Sequence, residues 1–301
     1  MQQNDTALSK AEFEILILSP DYGPQKTFTQ LYHYTNDNAK QGIVYGKRLD
    51  FQLTRTNAFL DKNEGTAILE PYYHACGHLY ETGQIDRVFF MIARSITAQM
   101  LREYDSGLWA LCLTPHGCSP FMKERYAAKD GWIISFCSGS LDDLISHFPE
   151  KYGRFERVQM QYSFGKVKRL LERILKKIFK AYKKDLQNCN YDLTEQVHKV
   201  LLHLVSYYGL RYKGKDYREE KEERLLFHLN TNVESFVWKY KSKKLKVTFN
   251  DEEGQKSMHL IIGPSYFYQV TQEMSVYNDE RLNSSFLRGE TIQKVLNEEK
   301  R

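Results

Sequence analysis

The chain has 301 residues, 42% hydrophobic and 14% aromatic, with 43 Lys and Arg against 38 Asp and Glu and a net charge of +5. This composition excludes collagen-like, mucin-like and wholly disordered chains, and the length allows two domains or one elaborated one. No window reaches the roughly 18 consecutive apolar residues of a membrane span, and the start, MQQNDTALSKAEFE, lacks the layout of a secretory leader, so the sequence predicts a cytoplasmic protein with no membrane partner.

Taken in chain order, residues 13–18 read as a strand and 31–35 (LYHYT) as a short aromatic one. A polar turn at Asn36-Asp37-Asn38 and a short helix ending near Gly42 or Gly46 lead to a strand over 49–53. Apolar periodicity predicts helices over 67–81 and 87–104. A strand at 108–114 precedes a helix over 119–128, with Ser119 as N-cap and Pro120 at the first helical position. The strand 132–137, a helix 141–148 and a strand 155–162 follow. Helices over 165–184 and 194–208 form a helical insertion, 164–210, within a single catalytic domain spanning 1–301. Strands at 220–229, 235–240, 244–249 and 258–262 and a polar helix from Glu290 complete the chain. Strands and helices do not alternate strictly, which points to an α+β fold with a split, largely antiparallel sheet. Neither GxGxxG nor GxxxxGK[ST] occurs, so nothing argues for a Rossmann or P-loop nucleotide site.

The five cysteines, Cys76, Cys112, Cys118, Cys137 and Cys189, are scattered and read as reduced core thiols. His74, Cys76 and His78 have zinc-binding side chains, but on a helix the middle one points away from the other two and no CxxC or HExxH partner exists, so no metal is expected. Between Gly165 and Lys184 there are nine Lys or Arg and one acid, Glu172, while Val167, Leu170, Leu171, Ile174, Leu175, Ile178 and Tyr182 recur at helical spacing. The basic face is either a solvated surface or a contact for a polyanion, and membrane attachment is the weaker option because the apolar stripe belongs in a core.

The residues able to carry chemistry are few. In EEKEER, an extended backbone would project Glu220, Glu222 and Arg224 to one face, where two carboxylates beside a guanidinium can position a hydroxyl, stabilise a cation or hold a metal. The alternative is an exposed helical turn with self-compensating charges. His33 within LYHYT has a bland reading as a satisfied core histidine. The segment 54–64, TRTNAFLDKNE, has one as a polar surface loop.

In order, these segments resemble a bacterial domain family of unassigned function found in defence and mobile-element contexts. Its pattern runs through L-Y-x-Y-T, F-N-D-x-x-E, W-x-x-Y-A, G-x-x-x-x-F, W-x-x-E-x-E-x-R and I-I-G-P. Here the corresponding stretches are 31–35, 59–64, 122–127 with one residue more than the pattern, 132–136 with Gly131 before it, 217–224 and 261–264. Leu60 stands where Asn is usual, Lys62 where proline is, and Met122 and Tyr217 replace tryptophans. The layout is also similar to that of the ADP-ribosyltransferases. That resemblance implies NAD as substrate, Glu222 as catalytic carboxylate with Glu220 orienting the acceptor, and His33 and Thr35 as ribose anchors. It further implies Thr54, Phe59 and Tyr126 around the nicotinamide, Arg224 as a phosphate or structural contact, a nucleic-acid or protein acceptor, and an intracellular bacterial or phage toxin or defence effector, with an antitoxin-like partner in prospect. Two rival readings remain open. One is a metal-dependent nuclease using Asp61, Glu64, Glu220 and Glu222; the other is a non-enzymatic module whose basic helix docks nucleic acid or an acidic partner.

Overall fold

Alternation along 108–113 and 223–229 places apolar side chains on both faces of the central strands, and burial on both faces turns that pattern into the near-continuous runs LWALCL and ERLLFHL. A computed structural model describes residues 28–35, 44–45, 48–56, 59, 63–104, 108–117, 119–127, 132–146, 153–188, 193–229, 244–252, 255–262 and 268–272. The expected strands at 13–18 and 235–240, the turn and short helix near 36–42, the helix from 290, and Asp61, Cys118, Cys189 and Gly263-Pro264 lie outside these residues.

In chain order the elements are β1 (Gln30–Thr35), β2 (Val44–Tyr45), β3 (Arg48–Arg55), α1 (Leu69–Glu81), α2 (Arg87–Arg94), α3 (Ala98–Glu103) and β4 (Leu108–Leu113). Next come α4 (Pro120–Met122), which runs on as a π-helical turn (Lys123–Ala127), then β5 (Trp132–Cys137), α5 (Ser138–Ser146) and β6 (Gly153–Gln159). α6 (Phe164–Asn188), α7 (Thr194–Gly209), a 3₁₀ turn (Lys215–Glu220), β7 (Glu223–Leu229), β8 (Lys244–Glu252), β9 (Gln255–Ile262) and β10 (Tyr268–Gln272) follow. The described residues of 60–106 and 161–218 form one compact unit, and those of 26–59, 107–160 and 219–301 form another.

The first unit is helical. The predicted stripe of α6 is buried, from Val167 and Leu171 through Leu175 to Tyr182, in one core with Tyr72, Cys76 and Leu79 of α1, Phe89 of α2 and Leu201 and Leu204 of α7. The helical body therefore draws on 69–103 as well as on the segment 164–210. The single helix expected over 87–104 is two helices. The Asp86 side chain accepts from the Phe89 N–H and starts α2, and the Thr97 hydroxyl accepts from the Met100 N–H and starts α3. A capping side chain satisfies amide donors that a continuous helix would bond internally, so Thr97 marks a restart. His74, Cys76 and His78 go separate ways. The His74 ring meets Phe164 edge-on, His78 Nδ1 lies 2.8 Å from Glu172, and burial pushes the Cys76 thiol up to about 12, which makes it inert.

The second unit is α+β and its strand pairs are all antiparallel. The large sheet has the order β10-β9-β8-β3-β4-β7-β6, with β2 added on β3, and β1 pairs with β5 in a sheet of two. β1 and β7 thus belong to different sheets, joined by the bridge in which Tyr32 and Thr114 exchange backbone hydrogen bonds of 2.7 and 2.9 Å. Register puts Trp109, Leu111 and Leu113 with Phe227, Leu225 and Glu223 on one face, and Cys112 and Ala110 with Arg224 and Leu226 on the other.

Candidate functional site

Polar side chains gather where β7 begins. The expected strand over 220–229 starts only at Glu223, because Glu220 closes the 3₁₀ turn and Lys221 takes φ 41, the left-handed region that a lysine rarely adopts. The simple period-two projection of Glu220, Glu222 and Arg224 is therefore corrected: Glu222 and Arg224 meet, while Glu220 is turned elsewhere.

Glu222 and Arg224 form a buried two-point ion pair. Arg224 Nε donates to Oε1 at 2.5 Å and Nη2 to Oε2 at 3.3 Å, with the carboxylate residue 4% exposed and the arginine 0%. The guanidinium lies 5.3 Å from the ring centroid of Phe59, which itself packs on Ala110, Val158 and Leu226. On the opposite face Glu223 is held by Arg157 Nε, and the same guanidinium reaches Ser138 Oγ at 2.6 Å and Asp142 at 2.8 and 2.9 Å. Burial alone would lower the Arg157 pKa; its bonds to Glu223 and Asp142 outweigh that and raise it.

Glu220 is different. It is 1% exposed, yet its Oε1 accepts a 2.6 Å hydrogen bond from the Tyr126 hydroxyl and lies 4.0 Å from Arg125 Nε. Tyr126 and the Arg125 side chain are each 41% exposed and sit on the π-turn. This carboxylate is therefore buried beside two half-exposed side chains. Two unusual backbone features flank it, the left-handed Lys221 and the π-turn, and both kinds concentrate at functional sites.

The end of β4 brings β1 to the same place. Thr114 Oγ1 donates to the Glu220 carbonyl at 2.7 Å, and His33 Nδ1 is 2.9 Å from the carbonyl of Cys112, the cross-strand partner of Arg224. A carbonyl only accepts, so Nδ1 carries the proton and Nε2 is the acceptor of the neutral ring. The Tyr34 hydroxyl donates to the His116 carbonyl at 2.7 Å and accepts from the Ser119 N–H at 3.0 Å, which ties the loop after β4 to β1. Gly117 admits this approach, since a Cβ there would stand 2.7 Å from Cζ of Tyr32. Partial burial, with Lys221 as a second cause, holds His116 below the usual histidine range.

Of the residues singled out in the sequence, His33, Tyr126, Glu220, Glu222, Arg224 and Phe59 are thus linked through β4 and the lead-in to β7. Thr35 is buried at the end of β1 opposite Trp132, and Thr54 pairs with Ala110 at the end of β3. Glu64 belongs to the helical unit and is ion-paired with Lys213 at 3.6 Å. Arg125, Thr114, His116 and Lys221 escaped sequence reading, since their roles depend on backbone shapes and distant contacts. Among the described residues no group of three or more His, Cys, Asp or Glu is placed to hold a metal ion, and no helix is long and apolar enough to cross a membrane. Compared with protein-family models, curated proteins and solved structures, the chain matches none.

Proposed function

We propose that the cluster around Glu220 is the active site of an NAD-dependent ADP-ribosyltransferase or NAD glycohydrolase, on a sheet of the split ADP-ribosyltransferase kind. The observation that carries this reading is Glu220 itself, a buried carboxylate reached from the surface through Tyr126 and Arg125. Cleaving the nicotinamide glycosidic bond builds positive charge on the ribose, and a fixed carboxylate in a water-poor site stabilises that charge more than it stabilises the ground state. The geometry favours Glu220 over Glu222 for this role, because both oxygens of Glu222 are engaged by Arg224. Glu222 and Arg224 then support the lead-in to β7. His33 Nε2 suits a ribose hydroxyl, Tyr126 offers a ring face to the nicotinamide, and Arg125 and Lys221 supply cations for a pyrophosphate. The toxin or defence setting, with a protein or nucleic-acid acceptor and an antitoxin-like partner, rests on the family resemblance. The metal-dependent nuclease draws no support from Glu64, whose carboxylate is paired with Lys213.

The test is nicotinamide release from NAD by the full chain, with Glu220→Gln and Glu222→Gln alongside. Gln keeps the shape of Glu220 and removes its charge, so the expected loss is about 100- to 1000-fold, the effect of deleting one transition-state electrostatic interaction. Equal rates for wild type and Glu220→Gln, or no NAD cleavage by the wild type, would refute the reading.

A further inference from the structure

The outer face of α6 carries a continuous cationic stripe. Lys166, Arg169, Arg173, Lys176, Lys177, Lys180 and Lys184 are all exposed, and they recur at intervals of three and four residues. At 3.6 residues per turn they fall within an arc of about 100°, and at 1.5 Å per residue they run for about 27 Å along the axis. The only acid between Lys166 and Lys184, Glu172, lies off this arc beside His78 and Lys168, and Lys183, at its edge, pairs with Asp86. Lys166, Arg169, Lys176, Lys177, Lys180 and Lys184 have no acidic partner among the described residues.

We infer that this stripe is a docking surface for the backbone of a nucleic-acid duplex, bound without regard to sequence. Each strand of a DNA duplex carries a phosphate about every 3.4 Å along the axis, so a stripe of about 27 Å lies alongside roughly eight of them. The chemistry of the stripe selects this occupant. Most of its residues are lysines, hydrated point charges that suit phosphate oxygens and are depleted from protein–protein interfaces. It bears no aromatic ring on which an unpaired base would stack, which disfavours a single strand. The apolar residues of α6 are buried in the helical core, so none remains to enter a bilayer. Because the inference stands on α6 alone, it survives or fails independently of the NAD reading.

The experiment is fluorescence anisotropy of the full chain with a labelled random-sequence DNA duplex across a salt series. An RNA duplex, a single strand and anionic phosphatidylserine vesicles serve as competitors. The variant combines Lys176→Gln, Lys177→Gln, Lys180→Gln and Lys184→Gln, all exposed; Lys199→Gln is the control, on another helix and paired with Glu195. Wild type is expected to bind with a log-log salt slope that the fourfold variant flattens by about 0.9 for each phosphate it no longer neutralises, while the control keeps the wild-type slope. Circular dichroism and thermal unfolding check that the variant stays folded. The inference is overturned by any of three results: no duplex binding at low salt, the same slope in wild type and fourfold variant, or displacement of the duplex by single strand or vesicles at lower concentration than by RNA duplex.

Discussion

Replacing Arg224 with Met tests whether the lead-in to β7 is held by the buried ion pair. Arg224 is fully buried, Glu222 nearly so, and two hydrogen bonds of 2.5 and 3.3 Å join them. Methionine fills much of the same volume but strands the carboxylate. Breaking a buried pair from one side typically costs about 3 to 5 kcal/mol, because the remaining charge has lost its compensation. Removing the guanidinium from the Phe59 ring adds about 0.5 to 2 kcal/mol, partly offset by apolar packing of the thioether. Glu222→Leu should be similarly harmful, since it strands the guanidinium. The double variant removes both charges of the pair and should cost much less than the sum, with an interaction term towards the upper end of about 0.5 to 3 kcal/mol. Trp109 and Trp132 both belong to this unit, so urea unfolding at neutral pH followed by tryptophan fluorescence reads it directly. A cost below about 1 kcal/mol for Arg224→Met, or single-variant costs that add, would show that the pair does not support the strand.

Three other substitutions probe the surroundings. Tyr126→Phe removes one donor from Glu220; hydrogen bonds to charged groups are worth about 1.5 to 3 kcal/mol, so urea unfolding should shift by that order, and an unchanged midpoint would mean the bond does not form in solution. Gly117→Ala places a methyl 2.7 Å from Cζ of the Tyr32 ring and should destabilise by about 1 to 3 kcal/mol, whereas a neutral effect would show that the Tyr32 ring can swing aside. His116 is held below its ordinary value of 6.5, so as pH falls through that value the unfolded chain takes up a proton before the folded one, and stability declines. His116→Gln should flatten the stability profile below that pH, and identical profiles would remove His116 from the account.

What could be read in the sequence was what repeats locally. The stripe Val167 to Tyr182 follows the helical period over many turns, and α6 came out as expected with its apolar face inward. The strands flanking the site were equally legible from their apolar runs. The break between α2 and α3 was visible in principle, since Ser95-Ile96-Thr97 holds a capping residue within an apolar pattern, but periodicity alone runs through it. The start of β7 at Glu223, not at Glu220, has a different reason. Nothing about lysine advertises a left-handed backbone, and the residues that bring it about are far away in sequence: Thr114 bonds the Glu220 carbonyl across 106 positions, and Tyr126 bonds its carboxylate across 94.

That left-handed lysine explains how neighbouring acids come to do different work. A non-glycine residue in this region costs roughly 1 to 2 kcal/mol and persists only when its flanks are fixed. Here both flanks are fixed by their carbonyls: Thr114 Oγ1 donates to Glu220 at 2.7 Å, and the Met160 N–H donates to Glu222 at 2.9 Å. With an extended residue at 221, side chains 220 and 222 would share one face, and two carboxylates would compete for Arg224. The reversal at Lys221 separates them, so that Glu222 takes the guanidinium while Glu220 meets a phenol at the surface rim. A buried carboxylate bonded to an exposed tyrosine can exchange that partner for a ligand hydroxyl without unfolding anything, and one locked to a buried arginine cannot. The backbone strain therefore has a chemical consequence, which is to give the two acids different partners.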